Sequence, residues 1–189
     1  KKTTVILITS DKSYKNLEIK KGYKENDLLG GDDPYSGSKG AAELIINSYF
    51  RSIISKRKNI SITISRAGNV IGGGDWSADR IIPDCVKSWS KNKKAIIRNP
   101  HSTRPWQHVL EVIRGYFQSA ILGKKNYRAL NGEAFNFGPN NNQNKSVIQL
   151  VNLMKKNWSS VKWKIKKNNK NKESKLLKLN STKAKKKLN

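Results

Sequence analysis

Residues 3–12 read Thr3-Thr4-Val5-Ile6-Leu7-Ile8-Thr9-Ser10-Asp11-Lys12. The β-branched, apolar first half is typical of a buried strand in a parallel sheet. The polar second half then lies at the carboxyl end of that strand, where open α/β sheets bind their ligands. This stretch therefore predicts both an inner strand and one wall of a site.

A helix and a second strand are predicted next. Asp32 and Asp33 suit a helix N-cap and Pro34 suits the first turn, after which apolar residues recur at helical spacing as far as Ile53. Residues 60–65 alternate strictly between apolar and polar, which predicts a strand. Because strand, helix and strand follow in this order, we expect the right-handed parallel crossover of a doubly wound α/β sheet. Residues 13–33 show no sustained period and predict a loop over the site.

Beyond Arg66 the chain is richer in glycine and its elements are shorter. The pattern predicts helices at about 81–91, 109–122 and 146–157, with short strands at 95–97 and 133–138. These pieces predict a smaller lobe that closes over the sheet.

The chain has 189 residues and a formal net charge of +26, from 39 basic and 13 acidic residues. So high a charge first suggests a phosphate-rich partner such as nucleic acid or an anionic membrane surface. Residues 155–189, however, hold fourteen Lys, no Arg and one acid, Glu173. Lys, Asn and Ile share A/T-rich codons, and phosphate recognition usually recruits Arg as well as Lys. We therefore favour genome composition over a nucleic-acid partner as the explanation of the high positive charge.

The single cysteine, Cys85, excludes a disulfide framework and fits a reducing compartment. No apolar stretch approaches the roughly 18 residues of a membrane span, and no charged-then-apolar leader opens the chain. His101 and His108 lack further ligands at zinc spacing, so no metal site is expected. We expect a soluble, cytoplasmic protein with no membrane partner.

Tyr35 and Lys39 lie four residues apart near the start of the predicted helix, which places them on one face, about 6 Å apart. An adjacent ammonium favours the phenolate, which can take a proton from an alcohol. Such a pair occurs by chance in many helices. Its weight here comes from Ser10, Asp11 and Lys12, a hydroxyl, an acid and an amine at the end of the preceding strand.

Five segments carry a resemblance to a known family: Thr-Ser-Asp-Lys at 9–12, Asp-Pro-Tyr-Ser-x-Ser-Lys at 33–39, Arg-Ala-Gly-Asn-Val-Ile-Gly-Gly-Gly-Asp-Trp at 66–76, Ile-Arg-Asn-Pro-His-x-x-Arg-Pro-Trp-Gln-His-Val at 97–109, and Asn-Phe-Gly-Pro-Asn at 136–140. From Val5 to about Leu188 the chain resembles the carboxyl-terminal part of the CDP-glucose 4,6-dehydratases, a family of extended short-chain dehydrogenase/reductases. The resemblance implies the carboxyl-terminal part of a Rossmann-type doubly wound parallel sheet plus a smaller mixed α/β lobe. Residues 1–71 would belong to the NAD-binding domain and residues 72–189 to a nucleotide-sugar-binding lobe with a Lys-rich tail.

The implied reaction is a lyase reaction with an internal redox cycle, in deoxysugar and lipopolysaccharide O-antigen biosynthesis. By similarity, Tyr35 takes the proton of the 4-hydroxyl of CDP-glucose while NAD accepts the hydride, Lys39 holds the nicotinamide ribose, and Ser10 hydrogen-bonds the reacting oxygen. Asp11 matches the acid that protonates the leaving 6-hydroxyl. Lys12 is either the base for the C5 proton, which requires a neutral amine, or an electrostatic post that orients the substrate.

Four further residues match positions that face the nucleotide-sugar diphosphate in the family: Asn69, Arg80, Arg104 and His108. An Arg fork suits a diphosphate. His108 has an alternative role at a helix start, and residues 72–74 have one as an ordinary turn. Trp76 and Trp106 either stack on a base or fill the core, and we expect core.

The chain also departs from the family pattern. It lacks the glycine-rich turn, followed about 20 residues later by an acid, that binds a dinucleotide. We therefore expect it to be a fragment that lacks the first strands and most of the NAD site and stops short of the usual final segment. Lys175 and Leu176 replace an expected His and Tyr near Glu173.

Two alternatives to an active dehydratase remain, an inactive truncated remnant and a basic module that binds RNA or another polyanion through its tail. As partners, the resemblance implies the nucleotide sugar and a second copy of the chain, with the Tyr35 helix forming the homodimer contact.

Overall fold

The computed structural model describes residues 1–140, 143–166 and 176–188. Its strands are β1 Thr3–Ile8, β2 Ile60–Ala67, β3 Val70–Ile71, β4 Ala95–Ile97, β5 Thr103–Arg104, β6 Gln107–His108, β7 Glu133–Phe137, β8 Lys145–Ser146 and β9 Trp163–Ile165. Its helices are α1 Pro34–Ser52, α2 Ile81–Trp89, α3 Val109–Lys125, α4 Tyr127–Leu130, α5 Val147–Asn157 and α6 Thr182–Leu188. All the longer predicted elements are present.

The central sheet has the order β1-β2-β7, and all its strands are parallel. Val5 lies opposite Ile62, and Ser65 lies opposite Phe135. The carboxyl ends of the three strands therefore share one edge of the sheet, which brings together the residues that follow Ile8, Ala67 and Phe137. Within the described residues, β1 pairs on one side only.

Helices cover both faces of this sheet, as the doubly wound prediction requires. On one face, α3 packs against β1 and β2, and a Cβ atom at Gly115 would lie within 2.5 Å of the ring of Phe137. The opposite face carries Arg66, whose side chain meets Glu43 of α1. The predicted α/β class is thus confirmed.

The lobe is built around a second core. Trp89 of α2 is fully buried, and it clusters with residues from α2 itself, β4, α5 and the segment before β9: Cys85, Ala95, Ile97, Val151 and Val161. Three two-stranded sheets, β3–β6, β4–β9 and β5–β8, connect the segments of this lobe. The chain leaves the central sheet after Ala67 and returns to it for β7. The division at residue 71 remains a prediction.

A third, smaller core holds the loop after β1 against the far end of the chain. Tyr14 and Tyr23 stack with ring centroids 4.9 Å apart, and Leu177 and Leu179 pack beside them. Tyr23 donates its amide hydrogen to Lys178 O at 2.9 Å. This contact fixes the predicted loop over the sheet edge.

Candidate functional site

Ser10 and Asp11 lie directly beyond the carboxyl end of β1. The Ser10 hydroxyl accepts a hydrogen bond from Lys12 N at 3.2 Å and donates one to Asp11 Oδ1 at 3.0 Å. The Asp11 side chain is buried, and this burial raises its pKa above the ordinary value although the Ser10 hydrogen bond and the charges of Lys12 and Arg104 oppose the shift. Asp11 is therefore a carboxyl group biased toward its protonated form.

The end of β2 forms the other side of this carboxyl group. Gly68 leaves the space that the Asp11 carboxylate fills. Asn69 has a positive φ of 50°, and its Nδ2 atom lies 3.5 Å from Asp11 Oδ2. The predicted substrate residue Asn69 is thus beside the predicted acid.

Tyr35 and Lys39 share one face of α1, as predicted. Asp33 caps the helix by accepting hydrogen bonds from Ser36 N and Ser36 Oγ, and Pro34 occupies the first turn. The Lys39 ammonium lies 5.6 Å from the centroid of the Tyr35 ring, and the phenol is half exposed. Helix α1 packs against the turn Asp11–Ser13, so both groups stand at the same sheet edge as Ser10 and Asp11.

A cavity of about 460 Å³ opens beside this edge. Four of the predicted site residues line it: Lys12, Asn69, Arg80 and Arg104. The glycine-rich residues 72–74 and Trp76 form part of its wall. The other five predicted site residues, Ser10, Asp11, Tyr35, Lys39 and His108, do not line this cavity in the described structure. The wall also carries a fourth cation, Arg98, and three carboxylates, Asp75, Asp79 and Asp84. Cations therefore outnumber acids by one in a volume large enough for part of a polar ligand.

His108 and Trp76 differ in how they compare with the sequence predictions. His108 Nδ1 accepts a hydrogen bond from Leu110 N at 3.2 Å, so the histidine caps α3, the alternative role that the sequence left open. The expectation that Trp76 lies in the core is wrong, because its side chain is 59% exposed on the cavity wall. The loop around it is anchored instead by Lys87, whose ammonium donates to Trp76 O at 2.6 Å.

Sequence reasoning missed a buried ion pair behind the site. Glu43 of α1 is fully buried and receives hydrogen bonds from Arg66 Nε at 2.8 and 2.9 Å and from Arg66 Nη2. Glu43 also accepts from Thr9 Oγ1 at 2.6 Å. The helix pattern gave no signal for this pair, because Glu43 lies on the side of α1 opposite the apolar residues Leu44, Ile45 and Tyr49. A buried charge needs a partner, and Arg66 supplies it.

The described residues fit one end of a bound dinucleotide. Tyr35 is half exposed and has the Lys39 ammonium beside it, at the edge where the parallel strands end. The ammonium can donate to the hydroxyls of a nicotinamide ribose, and the phenol can accept a proton from a substrate beside it. The described residues include no group of three or more His, Cys, Asp or Glu side chains that could hold a metal ion. Nor does any helix among them have the length and apolarity to cross a membrane.

A family model described as GDP-mannose 4,6 dehydratase matches residues 1–189. The chain belongs to the GDP-mannose 4,6-dehydratase family. Among curated members and relatives, it is 44% identical over 187 residues to the CDP-glucose 4,6-dehydratase of Salmonella typhimurium (strain LT2), which covers 95% of this chain and 51% of that protein. It is also 26% identical over 147 residues to human dTDP-D-glucose 4,6-dehydratase, which covers 77% of this chain and 38% of that protein. The chain thus spans about half the length, or less, of these relatives.

The fold of this dehydratase-family chain recurs in solved structures. The UDP-glucuronic acid 4-epimerase of Bacillus cereus, in complex with UDP-glucuronic acid and NAD, superposes with a TM-score of 0.83 at 23% identity, over 100% of this chain and 56% of that one. The resemblance to the dehydratases predicted from the five sequence segments is confirmed. Lys175, which the sequence comparison singled out, lies outside the described residues.

Proposed function

We propose that the protein to which this chain belongs catalyses the NAD-dependent dehydration of CDP-glucose to CDP-4-keto-6-deoxyglucose. The observation that carries the proposal is the buried Asp11 carboxyl group, whose pKa is raised and which lies between Ser10 and Gly68 at the edge shared with Tyr35 and Lys39. A dehydration needs a group that donates a proton to the departing hydroxyl. A carboxyl group biased toward its protonated form meets this need.

Tyr35 takes the proton of the sugar's 4-hydroxyl in this proposal. The Lys39 ammonium, 5.6 Å from the phenol ring, stabilises the negative charge that develops on the phenol oxygen. Ser10 donates to the reacting oxygen when its hydroxyl turns away from Asp11. NAD, when bound, supplies the hydride acceptor for C4 and the hydride donor for C6, with Lys39 as the donor to its ribose hydroxyls.

Asp11 and Lys12 act on the second half of the reaction. The 4-keto group acidifies the neighbouring C5 proton, and loss of that proton expels the 6-hydroxyl as water once Asp11 has protonated it. Lys12 lines the cavity and is partly buried, so it is placed either to take the C5 proton or to orient the sugar. The two roles predict different outcomes for Lys12→Met. If Lys12 is the base, the variant should still oxidise C4 but should not eliminate water. If Lys12 orients the sugar, both steps should slow.

The diphosphate is held by the cations of the cavity. Arg104 is buried and Arg80 is exposed at the start of α2, so the two guanidinium groups approach the cavity from its floor and its rim. Asn69 completes the polar wall near Asp11. We assign His108 an indirect role in substrate binding, through the start of helix α3, which it caps.

A homodimer is part of the proposal. Helix α1 buries only Ser36, Gly40 and Glu43, while Leu44, Ile45, Tyr49 and Ile53 form an exposed apolar stripe. Such a stripe suits an isologous contact with a second copy. We also assign residues 1–71 to the cofactor-binding domain, residues 72–189 to the substrate-binding lobe, and the protein to the cytoplasm, where the buried thiol of Cys85 stays reduced.

The test is product formation by the complete protein with CDP-glucose and NAD, followed by mass and by the 4-keto carbonyl. We expect a loss of water from the sugar nucleotide with no net consumption of NAD. Tyr35→Phe should lower the rate by about 10²- to 10⁴-fold. Tyr49→Phe, on the same helix and similarly exposed, keeps the apolar ring of the stripe and should leave the rate unchanged.

Three outcomes would count against the proposal. Turnover of GDP-mannose or dTDP-glucose in preference to CDP-glucose would replace the substrate. Turnover that survives Tyr35→Phe would remove the phenol from the mechanism. A complete protein that binds no nucleotide sugar would favour the inactive remnant.

A further inference from the structure

We propose that the hydrogen-bonded group Thr9–Glu43–Arg66 is a positioning device, which fixes the helix that carries Tyr35 and Lys39 relative to the strand end that carries Ser10 and Asp11. The inference deepens the proposed function and rests on it. It assigns a role to three residues that contact neither the sugar nor the cofactor in that proposal.

The first argument is the place of each partner in the chain. Glu43 lies one helical turn beyond Lys39 on α1, and Thr9 is the residue directly before Ser10. The hydrogen bond from Thr9 Oγ1 to Glu43 Oε1 is 2.6 Å long. One carboxylate therefore joins the two segments whose relative position sets the distance between the phenol and the serine hydroxyl.

The second argument is how little else holds α1. Its buried residues are Ser36, Gly40 and Glu43, and the rest of the helix is partly or fully exposed. Gly40 allows a close approach, since a Cβ atom there would lie 2.8 Å from Gly30 N. A glycine contact sets the distance between helix and loop but permits sliding along the helix axis. The directional bonds of Glu43 oppose that sliding.

The third argument concerns the far side of Arg66. Its Nη1 atom donates to Tyr14 Oη at 2.6 Å and to Glu25 O at 2.8 Å, and the Tyr14 hydroxyl donates to Asn136 Oδ1 at 2.7 Å. The carboxylate is thus braced by β2, β7 and the loop over the site at once. A brace attached to three elements holds its position more tightly than a single bond.

Stability alone is a poor explanation for this group. A buried ion pair often contributes no more to stability than apolar residues of similar volume, because burying both charges is costly. Sites that must hold reacting groups in a fixed geometry gain more, since a displacement of about 1 Å can cost two orders of magnitude in rate.

The experiment removes one hydrogen bond and leaves the ion pair in place. Thr9→Val deletes the hydroxyl that reaches Glu43, and Thr9→Ser retains it. Thr63→Val is the matched control, because the buried Thr63 hydroxyl has no hydrogen-bond partner in the described part of the chain. All three are made in the complete protein, and kcat, KM for CDP-glucose and Tm are measured.

We expect Thr9→Val to lower kcat about tenfold with KM changed by less than about twofold, because the substrate contacts are intact and the reacting groups are misplaced. Thr9→Ser should restore kcat, and Thr63→Val should match the parent protein. A kcat for Thr9→Val equal to the parent's, or a Thr9→Ser variant as slow as Thr9→Val, would overturn the inference.

Hydrogen exchange separates this inference from the proposed function. If the parent protein forms no 4-keto product, the proposed function fails, but amide exchange at residues 10–12 and 35–39 still reports the brace. Faster exchange at both segments in Thr9→Val, with no change in Thr63→Val, supports the positioning role. Unchanged exchange in Thr9→Val refutes it.

Discussion

The carboxylate of Asp11 fills the space beside Gly68 that any side chain at position 68 would need: a methyl group there would lie 1.8 Å from Asp11 Oδ2. The two residues end neighbouring parallel strands, so the backbone of one strand forms the wall that buries the acid of the other. This close approach is the structural cause of the burial that raises the pKa of Asp11.

Gly68→Ala should therefore displace the Asp11 carboxylate. We expect a loss of about 1–3 kcal/mol in the free energy of unfolding, typical of an added methyl group in a packed site, together with a fall in kcat. Gly73→Ala is the matched control for stability, because a Cβ atom at Gly73 would meet nothing within 4 Å. Urea unfolding and steady-state kinetics of both variants measure the difference. Equal stability of the two variants would contradict the packing seen at Gly68.

Asp11→Asn should separate activity from stability. The amide cannot donate a proton as the acid does, so we expect product formation to fall by about 10²- to 10⁴-fold. Because the folded-state pKa of Asp11 is raised above its ordinary 3.8, the folded protein holds this proton more tightly than the unfolded chain. Stability from this group therefore declines as pH rises from about 3.8 toward the raised pKa.

The asparagine variant should lack that decline. Its Tm should exceed the parent's at neutral pH, and the gain should shrink as the pH is lowered toward 4. Thermal unfolding across this range is the measurement. A variant less stable than the parent at neutral pH would show that the buried Asp11 carboxylate does not destabilise the fold.

Glu43→Gln should be far more destabilising than replacement of both partners of the ion pair. The single change leaves a buried guanidinium without its counter-charge, which costs about 3–5 kcal/mol. The double variant Glu43→Leu with Arg66→Met removes both charges, so we expect a smaller loss than for Glu43→Leu alone or Arg66→Met alone, the two single variants of the cycle. A double-mutant cycle by chemical unfolding measures this coupling. Additive losses would mean that the two side chains stabilise the fold independently.

Asp33→Asn should make α1 less sensitive to acid. The hydrogen bonds from the Ser36 hydroxyl and the Ser36 amide hold the pKa of Asp33 below its ordinary value. The stabilisation from this carboxylate is therefore present above the ordinary pKa and is lost as pH falls through the lowered one. Asparagine caps helices about as well and does not titrate in this range. The drop in Tm between neutral pH and about pH 2.5 should be smaller in the variant than in the parent.

Cys85 should react with thiol reagents only when its surroundings open. Its side chain is fully buried, and burial raises the pKa of the thiol to about 12. Because it is the only cysteine of the chain, the reaction is read without interference from another thiol of this sequence. We expect modification in native buffer to be at least about a hundredfold slower than in denaturant. Rapid labelling of the native protein would place the thiol at the surface.

The sheet was predictable because its strands carry strong local patterns. The apolar run Thr3–Ile8 and the alternation in Ile60–Ala67 identify strands from the local sequence alone, without knowledge of tertiary contacts. Short pairs such as β5 with β8 were missed, since two-residue strands form only where the fold brings Arg104 and Lys145 together. The site residues at the sheet edge, such as Ser10, Asp11 and Asn69, could be predicted because they closely follow the predicted strands.

The side of α1 that faces the sheet could not be read from its pattern. Apolar residues recur at helical spacing, and this gave the helix correctly, but the described structure exposes Leu44, Ile45 and Tyr49 and buries Ser36, Gly40 and Glu43. Periodicity measures where apolar residues lie around a helix, not what covers them. A buried glutamate becomes predictable only when its partners, Thr9 and Arg66, are known to be within reach.

The packing of Leu177 and Leu179 against Tyr14 and Tyr23 has a consequence for how the protein is made. The loop that follows Asp11 and Lys12 finds its partners more than 150 positions later in the sequence, where Tyr23 bonds to Lys178 and Asn180. Contacts so distant along the chain form slowly, and during synthesis they must wait for the later residues to leave the ribosome. The nascent polypeptide can thus assemble β1, α1 and β2 early, but the loop over the site closes among the last events of folding.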